Sequence, residues 1–241
     1  MSEINYKSPI YLQLREVVRT KIEDGDYQPG TAIPSENEFA ETYGIHRLTV
    51  RSAIDALVHE GMLKRVQGKG VFVVGSKVER DLETLGGFTQ TMSEKKAKPT
   101  TKILSKSLRK AGPIFSLVFS IDKEDDIYYI KRLLLADGEP FSLEEVYIPQ
   151  YICPKLSGID LSVFSIYEVY DFYGIKLDAA EQTLDLVHLE QKDARMLEID
   201  TETAVFLFEC TSKDIEGRVI EFARTYTRSD KCNFSVNFNR E

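Results

Sequence analysis

The sequence predicts an α+β protein of two units: residues 1–75 are helical and end in a β-hairpin, and residues 85–241 form an antiparallel sheet with helices. Three observations lead to this prediction. Apolar residues recur at helical spacing at the start of the chain, a Gly-Lys-Gly sequence separates two β-prone runs near residue 69, and alternating strand patterns dominate after residue 126. Residues 76–84 are charged and are expected to form a linker.

Composition narrows the class of protein. The chain has 241 residues, 42% of them apolar, which is enough for two ordinary cores. The polar start does not resemble a signal peptide, and no apolar run is long enough to cross a bilayer. Cys153, Cys210 and Cys232 are widely spaced, which argues against a disulfide framework and favours the cytoplasm. The three histidines lie far from one another and from the cysteines, so no metal or other cofactor is expected.

The net charge of −8 is unevenly distributed along the chain. Residues 1–75 carry 9 basic against 10 acidic side chains, and subtraction from the totals of 31 and 39 leaves 22 against 29 for the remainder. Within residues 42–71 the balance reverses to five basic side chains against two acidic ones. This local basicity is typical of a small DNA-reading surface.

Three helices are predicted before residue 61. The first follows a Ser-Pro start and continues for about four turns at helical spacing. The second opens at Ser35, whose partner Glu38 completes a capping box, and stops at Gly44. The third runs over Arg47–Glu60. Two helices joined by a tight turn form a helix-turn-helix.

A hairpin with a basic tip follows the third helix. Two short β-prone runs flank Gln67-Gly68-Lys69-Gly70, and a hairpin in this place is a wing whose lysine can reach phosphates or the minor groove. Arg47 and Arg51, at the start of the third helix, can reach guanine edges or phosphates. The alternative is that both arginines form an ordinary solvated helix face. The order of motifs favours DNA contact and a winged helix-turn-helix.

The first unit resembles the DNA-binding domain of the GntR family of bacterial regulators over residues 8–75. The matching segments are Pro9-Ile10-Tyr11, Pro29-Gly30, Ile33-Pro34-Ser35-Glu36, Thr49-Val50-Arg51, Gly61 and Gly68-Lys69-Gly70. The resemblance implies DNA contacts from Ser35, Glu36, Arg47, Leu48, Thr49, Arg51, Gly68, Lys69 and Gly70. Two positions depart from the family pattern. Asn37 stands where many members carry a basic residue, and His46 stands where many carry a small hydroxyl residue.

Strand patterns dominate the second unit. Two runs joined by Asp137-Gly138 predict a long hairpin, and Ser165 with Glu168 predicts a second capping box and a helix. Further strands are expected near 176–187, 204–213 and 219–228, with a helix near 190–197. The result is an α+β domain around an antiparallel sheet.

This second unit resembles the UTRA effector-binding domain of the HutC-like subfamily, whose fold is similar to that of chorismate lyase. The matching segments are Leu85-Gly86-Gly87-Phe88-Thr89, Lys131-Arg132, Asp137-Gly138-Glu139-Pro140, Glu144, Tyr147, Pro149, Ser165-Ile166-Tyr167-Glu168, Glu221, Arg228 and Asp230. The resemblance implies an effector site formed by Gly87, Phe88, Thr89, Arg132, Glu144, Ser165, Glu221 and Arg228. Domains of this type bind phosphorylated sugars, amino-acid derivatives or similar metabolites, and a sugar or sugar phosphate is expected here.

The residue types suit a polar ligand. Arg132 offers a charged fork, Glu144 and Glu221 accept hydrogen bonds from hydroxyls or an amine, and Ser165 lies at a helix N-terminus that favours an anion. Two alternatives stay open: Arg132 and Glu144 form only a salt bridge across the hairpin, and Ser165 is only a helix cap.

Two positions depart from the pattern of sugar-phosphate sensors. Leu134 stands where many of them carry a second arginine, and Thr227 stands where an aromatic residue commonly precedes the late arginine. A single arginine binds phosphate less well than two.

The sequence therefore predicts a transcription regulator, a repressor rather than an activator, that binds a palindromic operator as a homodimer and releases it with a small effector. Ligand binding is expected to reorder the linker and move the two DNA-binding heads. An enzyme with Glu144, Glu221 or His188 as acid or base is the less favoured alternative, so no catalytic residue is assigned. A C-terminal domain that only dimerises is a third possibility.

Overall fold

The computed structural model describes residues 9–74 and 98–231. The chain divides into two compact units, whose described parts are residues 9–74 with 158–164 and residues 98–157 with 165–231. The predicted linker lies outside the described residues. Within the described ranges, no helix is long and apolar enough to cross a membrane.

The first unit holds three helices and a two-stranded hairpin around one core. Its elements are α1 (Ile10–Glu23), α2 (Glu36–Tyr43), α3 (Arg47–His59), β1 (Leu63–Val66) and β2 (Gly70–Val73). Val18, Val50 and Leu57 are completely buried, and Phe39 from α2 packs against the same core. The strands pair in antiparallel register from Leu63–Val73 to Val66–Gly70. The predicted winged helix-turn-helix is therefore confirmed.

Local hydrogen bonds explain where α2 and α3 begin. The hydroxyl of Ser35 accepts the N–H of Glu38 at 3.3 Å, and the Glu38 carboxylate accepts the N–H of Ser35 at 2.7 Å. Gly44 ends α2 with φ 64°, a left-handed conformation that costs glycine little. At α3, Nδ1 of His46 accepts the N–H of Leu48 at 3.2 Å. The imidazole thus caps α3 in the place where the resemblance leads us to expect a small hydroxyl residue.

In its described residues, the second unit holds a six-stranded antiparallel sheet and three short α-helices. Its elements are β3 (Pro99–Lys110), α4 (Gly112–Phe119), β4 (Asp126–Ala136), β5 (Glu139–Pro149), α5 (Ile166–Phe172), β6 (Leu177–His188), α6 (Gln191–Met196), β7 (Ala204–Asp214) and β8 (Val219–Arg228). A short 3₁₀ helix covers Leu156–Gly158. The strand order is β3-β4-β5-β8-β7-β6, so β3 and β6 are the edges. This confirms the predicted antiparallel α+β fold.

The β4–β5 hairpin sets the register of the sheet. Its turn residues Asp137 and Gly138 have φ of 52° and 86°, the two positive angles of a type I′ turn, as the Asp-Gly pair predicts. Arg132 on β4 stands opposite Glu144 on β5, and Glu144 stands opposite Thr225 on β8. These three residues therefore share one face of the sheet.

Candidate DNA interface and effector site

The recognition surface begins at the N-terminal end of α3. Val50 and Ile54 are buried against the core, so the opposite side of the helix faces outward. Arg47 and Arg51 are exposed there, and the Leu48 side chain is 62% exposed. An apolar side chain this exposed contributes little to the fold, so it is available to contact the methyl group of a thymine.

Arginines from two elements converge on one carboxylate, that of Glu36 at the start of α2. Oε2 of Glu36 accepts hydrogen bonds from Nε of Arg47 at 3.1 Å and from Nη2 of Arg51 at 3.0 Å, and Oε1 accepts Nη1 of Arg65 at 2.8 Å. Arg65, on β1, also donates to Asp55 on α3 at 2.7 Å. We call Glu36, Arg47, Arg51 and Arg65 the arginine cluster.

The electrostatics of the arginine cluster keep its carboxylate ionised. Hydrogen bonds from Arg51, Arg65 and Arg47 lower the pKa of Glu36 to about 2, against the opposing effect of partial burial. The Glu36 side chain is only 9% exposed, whereas the side chains of the three arginines are 40–56% exposed. The carboxylate is thus enclosed and the guanidinium groups remain accessible to a partner.

A groove connects these arginines to the tip of the hairpin. It runs between the start of α2, the start of α3 and the wing. The predicted DNA-contacting residues that line it are Ser35, Glu36, Arg47, Arg51, Gly68, Lys69 and Gly70, joined by Arg65 and Gln67. At the tip, Gly68 and Gly70 have φ of 75° and 118°, and with Lys69 they are exposed. The arrangement brings a recognition helix and a basic wing to one concave surface.

In the second unit, Arg132 and Glu144 form the ion pair that register predicts. Nε of Arg132 donates to Oε2 of Glu144, and both side chains are mostly buried, at 12% and 14% exposure. The hydroxyl of Thr225 lies 3.4 Å from Oε1 of Glu144. The salt-bridge alternative is therefore present in the structure. Among the described residues, Nη1 and Nη2 of Arg132 have no hydrogen-bond partner, so the pair leaves one side of the fork available.

Glu221 is the most unusual carboxylate of this unit. It is 6% exposed, and its Oε2 accepts the hydroxyl of Tyr170 at 2.6 Å. Burial, and then the charge of Glu144, raise the pKa of Glu221 to about 7, while the Tyr170 hydrogen bond and Arg132 act in the opposite direction. The structure thus brings Arg132, Glu144 and Glu221 close enough for their charges to interact.

Tyr167, one residue inside α5, belongs to the same neighbourhood. Burial and the charges of Glu221 and Glu144 raise its pKa, and Arg132 opposes them. We call Arg132, Glu144, Tyr167, Tyr170, Glu221 and Thr225 the buried polar cluster. It supplies guanidinium and hydroxyl donors together with carboxylate acceptors, which is the chemistry that binds polyhydroxylated or ionic metabolites.

Five of the predicted effector residues need separate comment: Ser165, Arg228, Gly87, Phe88 and Thr89. Ser165 caps α5 by accepting the N–H of Glu168 at 3.1 Å, so the cap alternative is also present. Arg228 pairs with Asp230 at 2.6 Å and stands opposite Val205, on the other face of the sheet from Thr225. The structure therefore does not bring Arg228 to the buried polar cluster. Gly87, Phe88 and Thr89 lie outside the described residues.

The chain was compared with protein families and with known proteins. Residues 10–73 match the family model described as "Bacterial regulatory proteins, gntR family", and residues 94–233 match that of the "UTRA domain". Among curated proteins, the "HTH-type transcriptional repressor NagR" of Bacillus subtilis is 32% identical over 235 residues, covering 96% of each chain. The chain belongs to the GntR family of bacterial regulators.

Other relatives of this GntR regulator match over nearly the whole chain. The "Mannosyl-D-glycerate transport/metabolism system repressor MngR" of Escherichia coli is 24% identical and covers 95% of both chains. The crystal structure of PhnF from Mycobacterium smegmatis matches with a TM-score of 0.62 at 24% identity, covering 97% of this chain and 100% of that one. At this identity the structural match shows the fold alone.

Family membership decides between the functional classes that the sequence left open. A GntR domain binds DNA and a UTRA domain binds small-molecule effectors, so the protein is a DNA-binding transcription regulator and not an enzyme. The enzyme alternative has no support among the relatives.

The cysteines among the described residues show no sign of activation for catalysis. Burial raises the pKa of the Cys153 thiol to about 12, which is the opposite of an activated nucleophile. His188, at the end of β6, is exposed. Within the described ranges, no group of side chains could hold a metal ion.

Sequence reasoning missed residues of both sites. Arg65 is one of the five basic residues of 42–71 and was given no role, although the structure leaves it and its neighbour Lys64 exposed on β1. Tyr167 and Tyr170 follow the predicted capping box at helical spacing, which places both on one side of α5. That spacing was a usable signal for the residues that face Glu221.

The raised pKa of Glu221 predicts a pH-dependent stability. Its ordinary value is 4.5 and the folded value is about 7, so the folded state binds the extra proton and stability falls as pH rises between these values. Once Glu221 is fully ionised, the free energy of unfolding should be lower by about 3 kcal/mol. Glu221→Gln should therefore become more stable relative to the wild type as pH rises from 5 to 8, measured by urea unfolding.

Glu209→Gln is the matched control for this prediction. Glu209 lies on β7, is partly exposed and pairs with Arg224 at 2.7 Å, so its variant makes the same chemical change at a more exposed site. Parallel pH profiles for wild type and Glu221→Gln would show that Glu221 is ionised without penalty in the folded state.

Proposed function

We propose that this GntR regulator is a homodimeric repressor that binds a palindromic operator and leaves it when a sugar-type metabolite occupies the C-terminal unit. The observation that carries the proposal is the groove of the first unit, where the arginines of the recognition helix and the glycine-rich wing share one accessible surface. Two such heads related by a two-fold axis read two half-sites one helical turn apart or a multiple of it. A repressor of this kind works in the bacterial cytoplasm.

The proposed division of labour follows the predicted boundaries. Residues 1–75 bind DNA, 76–84 link the units, and 85–241 bind the effector and dimerise. DNA contacts come from Ser35, Arg47, Leu48, Thr49, Arg51, Gly68, Lys69 and Gly70, with Glu36 in the same surface. Effector contacts come from Arg132, Glu144, Ser165 and Glu221 together with Gly87, Phe88 and Thr89. Arg228 is left out because it lies on the other face of the sheet.

The effector class is inferred from the donors and acceptors of the buried polar cluster and from the relatives. Named relatives are repressors of mannosyl-D-glycerate and fructoselysine systems, both sugar derivatives. Glu144 and Glu221 suit sugar hydroxyls, and the outer nitrogens of Arg132 suit an anionic or carbonyl oxygen. Leu134, two residues along β4 and 2% exposed, adds no second charge, so phosphorylated and unphosphorylated sugars must both be tested.

One titration tests the proposal as a whole. The purified protein is titrated against the DNA upstream of its own gene at one fixed salt concentration, with and without a panel of sugars and sugar phosphates. Tight binding that one compound releases is the expected result. If the protein binds that DNA with the same affinity in the presence of every compound, the protein is a constitutive DNA-binding dimer and not a sensor.

Arg51→Ala should weaken operator binding. Arg51 is exposed at the start of the recognition helix, and losing a base or phosphate contact there costs about 1–3 kcal/mol. Fluorescence anisotropy with labelled operator measures the change. Arg15→Ala, which removes the same charge on α1, is the control and should bind nearly as the wild type does. Equal affinities for wild type and Arg51→Ala would remove Arg51 from the reading surface.

Lys69→Ala should change the salt dependence of DNA binding more than its sequence preference. One phosphate contact contributes about one unit to the slope of log K against log salt concentration, so the slope should become shallower by about that amount. Lys21→Ala, on α1, should keep the wild-type slope. An unchanged slope for Lys69→Ala would mean that the wing tip makes no phosphate contact.

Arg132→Lys should abolish or strongly weaken the effector response. Lysine keeps the charge opposite Glu144 but lacks the planar fork whose outer nitrogens are proposed to bind the ligand. The measurement is the rise in melting temperature and the release of DNA caused by the active compound. Arg195→Lys, on the exposed side of α6, is the control. A variant at position 132 that still responds fully would place the ligand elsewhere.

A further inference from the structure

The carboxylate of Glu36 has used its hydrogen-bonding capacity within the protein. Oε1 accepts Nη1 of Arg65 at 2.8 Å and Nε of Arg51 at 3.3 Å, and Oε2 accepts Nε of Arg47 at 3.1 Å and Nη2 of Arg51 at 3.0 Å. A carboxylate offers about four lone-pair sites, and these contacts occupy them. With 9% of its side chain exposed, Glu36 has no free acceptor to present to the amino group of a base.

The three arginines keep donors that point away from Glu36. Arg47 gives only Nε to the carboxylate, so both of its terminal amino groups are uncommitted within the cluster. Arg51 retains Nη1, and Arg65 retains Nε while its amino groups bridge Glu36 and Asp55. An arginine held at Nε presents its two terminal nitrogens as a pair, which is the geometry that reads guanine O6 and N7 or clamps a phosphate.

Charge explains why the carboxylate is needed. Three guanidinium groups from α3 and β1 share a small surface, and like charges this close repel one another. Glu36 and Asp55 leave a net charge of +1 for the set with Arg47, Arg51 and Arg65. Without Glu36, the arginines would separate and sample many rotamers, and ordering them on DNA would then cost side-chain entropy.

We propose that Glu36 is a positioning residue that holds Arg47, Arg51 and Arg65 in a preset array, and that Arg65 is a further DNA-contacting residue of the wing. This inference rests on the proposed DNA-binding function and assigns roles within that surface. Glu36 then acts through the arginines and reads no base itself. Arg65 joins the two reading elements because it is hydrogen-bonded to α2 and α3 while it belongs to β1.

The variant Glu36→Gln separates positioning from direct reading. Glutamine keeps the shape but carries no charge and has one acceptor oxygen, so it cannot hold three guanidinium groups. The matched control is Glu41→Gln, which makes the same charge change at an exposed site on the same helix. The full-length wild type and both variants select binding sites from a library of duplexes with a randomised centre, and the enriched sequences are compared.

The expected result is a general loss of sequence discrimination in Glu36→Gln. Preference should fall roughly tenfold at each base pair that one of the arginines reads, and affinity for a random duplex should rise because a negative charge is removed. Glu41→Gln should enrich the wild-type sequence. If Glu36→Gln loses preference at a single base pair and keeps the others, Glu36 reads that base directly and the positioning role is wrong.

Arg65→Lys tests the second half of the proposal. Lysine keeps the positive charge but cannot bridge Glu36 and Asp55, so site selection should weaken at base pairs next to the wing. An unchanged selected sequence and an unchanged salt slope for both Arg65→Lys and Arg65→Ala would remove Arg65 from the DNA surface.

The positioning role of Glu36 can also be measured in the free protein, without DNA. The Nε–H signals of Arg47 and Arg51 in ¹⁵N-correlated spectra should be protected from solvent exchange in the wild type and in Glu41→Gln, and lose protection in Glu36→Gln. Retained protection would overturn the proposal. If the wild type itself selects no sequence, the proposed DNA-binding function fails, and the positioning role fails with it.

Discussion

The ion cluster around Glu36 is the interaction on which the DNA-binding surface depends. It joins the start of α2, the first turn of α3 and the first strand of the wing. Each surface ion pair alone contributes little. Three guanidinium groups on one enclosed carboxylate act as a network, and the pKa of about 2 for Glu36 shows that the network favours the charged form. The carboxylate of Glu36 therefore stays ionised near neutral pH.

Glu221 shows the opposite outcome of the same physics. Both carboxylates are largely buried, but Glu36 has three guanidinium donors and Glu221 has one tyrosine hydroxyl. Hydrogen bonds compensate the desolvation of Glu36, so its pKa falls. The desolvation of Glu221 is not compensated, so its pKa rises to about 7. A buried group without full compensation gains most when a ligand supplies the missing partner. In the proposed effector site, Glu221 is therefore the group whose burial a ligand would compensate.

Sequence alone predicted the elements whose signals are local. The capping boxes at Ser35 and Ser165 and the Asp-Gly turn at 137–138 each name a start or a turn through one or two residues, and the structure confirms all three. Two elements were not predicted. Strand β3 is a polar edge strand whose alternation is broken by a register shift between Ile103 and Ser105. Helix α4 is a short run of eight residues that is apolar except for Ser116, a pattern that strands and helices share.

The sites were less predictable than the fold because they depend on pairing between distant segments. Arg65 reaches Glu36 only because β1 returns beside α2, and Arg228 leaves the buried polar cluster only because β8 places it three residues from Thr225, on the opposite face. Spacing within one element cannot show the first fact, but the odd separation of Glu221 and Arg228 within the predicted strand 219–228 was a usable signal for the second.

The contrast between Glu36, whose charge is compensated, and Glu221, whose charge is not, bears on how the protein is regulated. In the proposed homodimer, Glu36 fixes the charges of each DNA-binding surface, and a change in operator affinity then comes from how the two surfaces are held on the DNA. Coupling between ligand and DNA sites is typically worth about 1–3 kcal/mol, close to the effect of losing a single good base contact. A small shift of one half-site contact is therefore sufficient, and the reading surface can stay rigid while the sensor unit supplies the switch.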